Sequence, residues 1–269
     1  MRHQDQEASA VPTPRALTFG SVAEAYDRFR PTYPPRLAAD VAALAPGRRF
    51  VEVGAGTGKA TAVFAAHDLD LTCVEPDAEM AAVLSRRFTG DPRVRVVVST
   101  FEQWRPDGLY DALTCAQAWH WTDPQTRWRH AAEALRPGGV IALFWNTESH
   151  RDPALGEVVD AVYARYGITD RPEFRTSPLD RDDDRHQRQD AADAAGLFSG
   201  FETRWYTWER RESVADLVGR FDTVSAHLIL PGETREALSR DLLLAITDHT
   251  GGEVTLAMDT VLALARRDG

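Results

Sequence analysis

The chain is short of the features that would point to several function classes. It has two cysteines in 269 residues, Cys73 and Cys115, with no C-x-x-C between them. A disulfide scaffold is excluded, and a chain of this length buries a core without such staples. Each cysteine lies inside an apolar run and reads as a small core hydrophobe. No H-E-x-x-H occurs and no His/Cys spacing suits zinc; His186, His227 and His249 stand alone. No serine sits in a G-x-S-x-G elbow, which argues against a serine hydrolase. Uninterrupted apolar stretches of about 18 residues, long enough for a membrane span, are missing. Basic excess is missing too: 31 Lys plus Arg stand against 41 Asp plus Glu, a formal charge of −10. That balance offers no footprint for nucleic acid or anionic lipid, where clustered Lys and Arg dominate binding.

What is present is ordinary for a globular protein, with 43% hydrophobic and 27% charged residues. Residues 1–16, rich in charge and proline and without an apolar h-region, read as a flexible tail and not as a secretory leader. The expected location is cytoplasmic. Helical periodicity begins at Leu17, is interrupted by Pro31, Pro34 and Pro35, and resumes over 36–44, giving an N-terminal helical cap across 17–46. From there short apolar runs alternate with amphipathic ones. Residues 50–53, 71–75, 94–98, 112–116 and 140–145 read as strands, and 59–67, 78–88 and 124–135 as helices. Such alternation predicts a mostly parallel sheet covered by helices on both faces, with the cofactor-binding core at 47–150. Pro137-Gly138-Gly139 predicts a turn before the fifth strand.

In 151–269 the pattern predicts helices at 153–166, 187–195, 213–224 and 233–247 and strands at 201–208 and 254–265. The total is seven strands, with a late helical insertion that would form a substrate lid walled by Trp208, Phe221, His227 and Leu228. Asp180, Asp182, Asp183 and Asp184 are interleaved with Arg181 and Arg185 and read as a solvated loop, not a metal site.

The chemistry concentrates after the first strand. Gly54, Ala55, Gly56, Thr57 and Gly58 form a loop whose three glycines permit a sharp turn and close approach to a ligand. A dinucleotide fingerprint would need glycine at position 59, which is Lys59. A Walker A loop fails at both Val53 and Ala60. What remains is E-x-G-x-G-x-G beginning at Glu52, followed one βα unit later by Glu75, Pro76 and Asp77. A carboxylate at the end of the second strand is placed to accept both hydroxyls of a ribose. Together these features fit an adenosyl ligand without a pyrophosphate. Glu52 has a competing reading as a structural acid under the loop.

On these motifs, with Phe19-Gly20, Tyr26, Arg30-Pro31 and Tyr33-Pro34 before them and Thr100-Phe101-Glu102, Gln117-Ala118-Trp119-His120-Trp121 and Leu135-Arg136-Pro137-Gly138-Gly139 after them, the chain resembles the class I S-adenosylmethionine-dependent methyltransferases. It is nearest in pattern to the small-molecule group that includes trans-aconitate methyltransferase-like enzymes. The resemblance implies a Rossmann-like fold and S-adenosylmethionine as cofactor. It places Gly54, Gly56 and Gly58 against the methionine part and Glu75 on the ribose. Asp77 and Met80 would flank the adenine, whose polar edge Thr100, Phe101 and Glu102 would cover. Gln117 and Ala118 would border the sulfonium, and Tyr26, Arg30 and Tyr33 would close over it from the cap, where a charge partner for the cofactor's carboxylate is expected. Bulky Phe101 departs from the small residue many members carry.

Trp119, His120 and Trp121 are the substrate-facing candidates at the end of the fourth strand; the competing reading is packing. His120 is the candidate catalytic base. The implied reaction is methyl transfer to an oxygen, nitrogen or carbon of a small molecule, without metal, nucleic acid or membrane. A cofactor-retaining cyclase or rearrangement enzyme, and a noncatalytic cofactor-binding accessory protein, remain as alternatives.

Overall fold

The structure, a computed structural model, describes residues 23–150, 152–169 and 185–269. The expected tail, the start of the cap with Leu17 and Phe19-Gly20, and the Asp-rich segment 170–184 lie outside these residues.

Two short helices, α1 (Ala23–Phe29) and α2 (Pro35–Leu44), precede the sheet. Proline at the first turn of α2 is tolerated because that N–H has no helical partner. The core then runs β1 (Arg49–Val53), α3 (Lys59–Ala65), β2 (Asp70–Glu75), α4 (Ala78–Arg87), β3 (Val94–Val98), β4 (Tyr110–Ala116), a 3-10 turn at Trp119–Trp121, α5 (Arg127–Ala134) and β5 (Leu135–His150). Beyond it come α6 (Pro153–Arg165), α7 (Arg185–Asp193), β6 (Phe198–Ser213), α8 (Val214–Phe221), α9 (Ser225–Leu228), α10 (Gly232–Thr250) and β7 (Glu253–Arg267).

The seven strands lie in the order β3-β2-β1-β4-β5-β7-β6. The first five pair in parallel, and β7 runs antiparallel between β5 and β6. This is the Rossmann-like methyltransferase arrangement that the resemblance implies. Strands of a sheet covered on both faces are apolar along their whole length, and β1, β2 and β4 are buried almost throughout. Successive side chains alternate between the faces. Phe50, Cys73 and Phe144 join Leu37 of α2, Phe64 of α3 and Leu84 of α4 on one side. Val51, Cys115 and Leu143 join Trp128 and Ala131 of α5 on the other.

Two features differ from the sequence expectation. First, β5 begins at Leu135, and the expected turn at Pro137-Gly138-Gly139 is an irregularity within it: the register against β4 shifts between Tyr110 and Ala112, and Gly138 has φ +76°. Second, β5 and β6 run well past positions 145 and 208. His150 of β5 pairs with Leu256, and Ser213 of β6 with Glu253. These extensions carry a separate apolar cluster of Leu155, Val159, Leu217, Phe221, Leu242 and Met258, drawn from α6, α8, α10 and β7. The late insertion is thus seated on the prolonged strands.

Candidate active site

In an open α/β sheet the ligand crevice lies at the carboxyl ends of the strands, where the strand order reverses. Here that point falls between β1 and β4. The loops leaving these strands touch: a Cβ at Gly54 would stand 2.4 Å from the Cβ of Ala118. Gly54 and Gly56 have φ +66° and +57°, the left-handed region that favours glycine. Above them opens a cavity of about 730 Å³.

Most of the sequence candidates meet there. Tyr26, Arg30, Tyr33, Gly54, Gly56, Glu75, Pro76, Met80, Thr100, Phe101, Glu102, Gln117, Ala118, His120 and Trp121 line the cavity. Ala55, Thr57, Gly58 and Trp119 do not line it. Ala55 belongs to the core beneath the loop, and Thr57 is buried there. Gly58 packs on α4, where a Cβ would meet Leu84 at 2.5 Å. Trp119, expected to face the substrate, turns into the core among Phe101 and Trp128, its ring 5.2 Å from that of Trp128.

Glu75 ends β2 with its carboxylate held by backbone donors. Its Oε2 accepts from the N–H of Gly56 at 2.7 Å and its Oε1 from that of Asp77 at 2.9 Å. Burial outweighs these bonds and pushes the carboxyl up to about 7. Asp77 caps α4, accepting from the N–H groups of Glu79 and Met80. Glu52 takes the structural reading. It is 1% exposed, and its Oε2 accepts from the Thr61 hydroxyl at 2.7 Å. Burial, with Glu75 nearby, pushes it up to about 8, so it is largely protonated near neutrality.

At the end of β4, Gln117 has φ +59°, rare for a residue with a side chain, and its amide donates to the carbonyl of Asn146. His120 lies beside Trp121, with centroids 4.6 Å apart and the rings tilted by 46°, at the exposed rim. Partial burial and the charge of Arg127 lower its pKa, keeping the imidazole neutral near pH 7. Glu102 accepts from the N–H of Asp123 and so joins two cavity-lining loops.

The cap and the insertion close the remaining sides. Tyr33 packs edge-on against Phe144, and burial raises its hydroxyl pKa. Arg30 donates to the hydroxyl and carbonyl of Thr223 at 2.9 and 3.1 Å. At Gly219 a Cβ would stand 2.7 Å from the Phe29 ring, so glycine lets α1 seat on α8. Of the expected lid residues, Phe221 lines the cavity, whereas Trp208, His227 and Leu228 do not. Trp208 donates to Thr260, and His227, fully buried, meets the Tyr163 hydroxyl at 2.7 Å.

Sequence reasoning missed Asn146, Thr147, Glu148, Arg220, Val224 and Met258, all on the cavity wall. Arg220 is 5% exposed; it grips both oxygens of Glu148 at 2.5 and 2.6 Å and Glu212 at 2.6 Å. Glu148 and Arg220 are 72 residues apart, and no short-range spacing announces such a pair. Among the described residues no His, Cys, Asp and Glu cluster could hold a metal ion, and no helix is long and apolar enough to cross a membrane.

Known proteins resemble this chain in sequence and in fold. Residues 51–143 match the family model described as a methyltransferase domain. An uncharacterized methyltransferase of Mycobacterium tuberculosis is 42% identical over 144 residues, covering 53% of this chain and 56% of that one. The chain thus spans just over half the length of that relative. Among solved structures, one described as a type II methyltransferase from Anaeromyxobacter dehalogenans superposes with a TM-score of 0.63 at 24% identity, covering 89% of this chain and 97% of that one. A phosphoethanolamine N-methyltransferase of Haemonchus contortus, in complex with phosphomonomethylethanolamine and S-adenosylhomocysteine, gives a TM-score of 0.51 at 15% identity over 93% of this chain and 58% of that one. These last two likenesses speak for the fold alone. By this match and these relatives residues 51–143 are a methyltransferase domain, and the strand order with the superposition gives the chain a Rossmann-like methyltransferase fold.

Proposed function

We propose that this chain transfers a methyl group from S-adenosylmethionine to a nucleophilic oxygen, nitrogen or carbon of a small molecule. The observation that carries the reading is the Glu75 carboxylate, oriented by Gly56 and Asp77 at the carboxyl end of β2 and opening on the same cavity as the glycine loop and His120. The residues fit the cofactor. A ribose diol suits an oriented carboxylate with free lone pairs, and the bare backbone at Gly54 and Gly56 allows close approach. The cavity also has room beyond the adenosyl part for an acceptor.

When bound, S-adenosylmethionine supplies a sulfonium already activated toward displacement. The protein's own task is therefore alignment and exclusion of water. Glu75 would fix the ribose, and Met80 and Phe101 would enclose the adenine. Tyr26, Tyr33 and Trp121 would present aromatic faces suited to a cation. Across from them, the Gln117–Ala118 turn and the ends of β5 and β7 would hold the acceptor. His120 Nε2 or Nδ1, neutral near pH 7, would take a proton from an acceptor of high pKa; a carboxylate acceptor needs no base. The −10 charge supports a small-molecule acceptor over nucleic acid.

The test follows an isotopically labelled methyl group from S-adenosylmethionine onto a panel of small hydroxyl, amine and carboxylate acceptors by mass spectrometry. Label in a product supports the reading; substrate turnover without label transfer refutes it in favour of a cyclase or rearrangement.

A further inference from the structure

Three cationic side chains apart from histidine line the cavity: Arg30, Lys59 and Arg220. Two of them are committed within the protein. Arg30 is bound to Thr223 through two hydrogen bonds, and its guanidinium lies 5.1 Å over the Tyr26 ring. Arg220 is ion-paired through its two terminal nitrogens with Glu148 and Glu212.

Lys59 differs. It is the residue directly after the glycine loop, partly buried, and it shares the cavity wall with Tyr26 and Arg30 of the cap. Among the described residues its ammonium has no hydrogen bond and no ion pair within 4.0 Å. The charge that attracts it is Asp27, which already pairs with Arg87 at 2.5 Å, while Arg87 and Arg210 repel it. Burial accordingly lowers the lysine's pKa.

A ligand seated over the loop would strip more water from this ammonium. Burying a charge is tolerable only when it is paired, so the ligand must bring an anion to that spot. The cofactor of the proposed function has one anionic group, the carboxylate of its methionyl arm. Its adenosyl end is assigned to Glu75 at the end of β2, and its sulfur must face the acceptor beyond β4. We infer that Lys59, and not a cap arginine, binds the methionyl carboxylate, leaving Arg30 as the strut that ties the cap to the segment after α8. This assignment rests on the cofactor reading above.

The test is calorimetry with two probes, S-adenosylhomocysteine and 5′-methylthioadenosine; the second keeps the adenosine and sulfur but lacks the amino acid arm. Lys59→Met should weaken S-adenosylhomocysteine about tenfold or more, as loss of a charge-assisted contact does. It should leave methylthioadenosine within about twofold, which also shows that the variant is folded. Lys59→Arg, which keeps the charge, should recover most of the loss. Equal weakening of both probes, or none of either, would overturn the assignment. So would an Arg30→Gln variant that alone abolished the preference for the longer probe. A wild-type protein that bound neither probe would instead refute the cofactor reading on which the assignment depends.

Discussion

Replacing Glu52 by glutamine should stabilise the protein, and the gain should grow with pH in a defined window. Glu52 is buried under the glycine loop; one oxygen accepts from Thr61, and the other has no partner. Its carboxyl is raised from an ordinary 4.5 to about 8, chiefly by burial and then by Glu75. The sign follows from linkage. Below about pH 4.5 the group is protonated in both folded and unfolded chains and costs nothing. Between there and about pH 8 the unfolded chain releases the proton while the folded chain keeps it, so folding stability falls as pH rises.

The slope for one proton is about 1.4 kcal/mol per pH unit, and above the folded pKa it levels off. Glutamine is neutral throughout and keeps the carbonyl that accepts from Thr61. The difference in unfolding free energy between Glu52→Gln and wild type, read from urea titrations at half-unit steps from about pH 5 to 9.5, should therefore climb by about 1.4 kcal/mol per unit and flatten near 8. A difference that stays constant across this range would show that Glu52 ionises normally and that its burial does not govern its proton.

Two other outcomes follow from the cavity walls. Arg220→Ala leaves Glu148 and Glu212 facing each other without their shared cation and should cost about 3–5 kcal/mol in a denaturant titration. Converting both glutamates to glutamine in that background should recover part of it, whereas purely additive losses would contradict a coupled cluster. His120→Ala should lower turnover of a hydroxyl or amine acceptor about a hundredfold or more and remove the acid limb of the rate profile, a limb that lies below the usual histidine pKa because burial and Arg127 depress it. Undiminished turnover across pH would dispose of the base role.

The fold was legible because its signals are local. Each core strand is a short apolar run bounded by turn residues, and each core helix is amphipathic at 3.6-residue spacing, so β1 to β4 and α3 to α5 fall close to their expected bounds. Glu75 and the glycines were legible for the same reason, since one βα unit fixes them relative to one another. Within the loop, composition alone did not distinguish the glycines that face the cavity from the residues that turn below it. Ala55 and Thr57 alternate with glycines at positive φ, and Gly58 shares that conformation with Gly54 and Gly56 yet packs on α4. Trp119 was indistinguishable from its neighbours because a single 3-10 turn sends it inward and leaves His120 and Trp121 at the rim. The cavity wall formed by β5 and the insertion was not legible at all. Glu148 and Arg220 are brought together by the overlong β5 and by the insertion seated on it, a tertiary consequence without a short-range sequence signature.

The central claim is that Glu75 anchors the cofactor on this sheet, and titration of S-adenosylhomocysteine into the wild-type chain and into Glu75→Ala tests it most directly. The account predicts a dissociation constant on the order of micromolar for the wild type and weakening of about tenfold or more in the variant, because two charge-assisted contacts to the ribose are lost. Absence of binding to the wild type, or equal affinity in the two proteins, would contradict it.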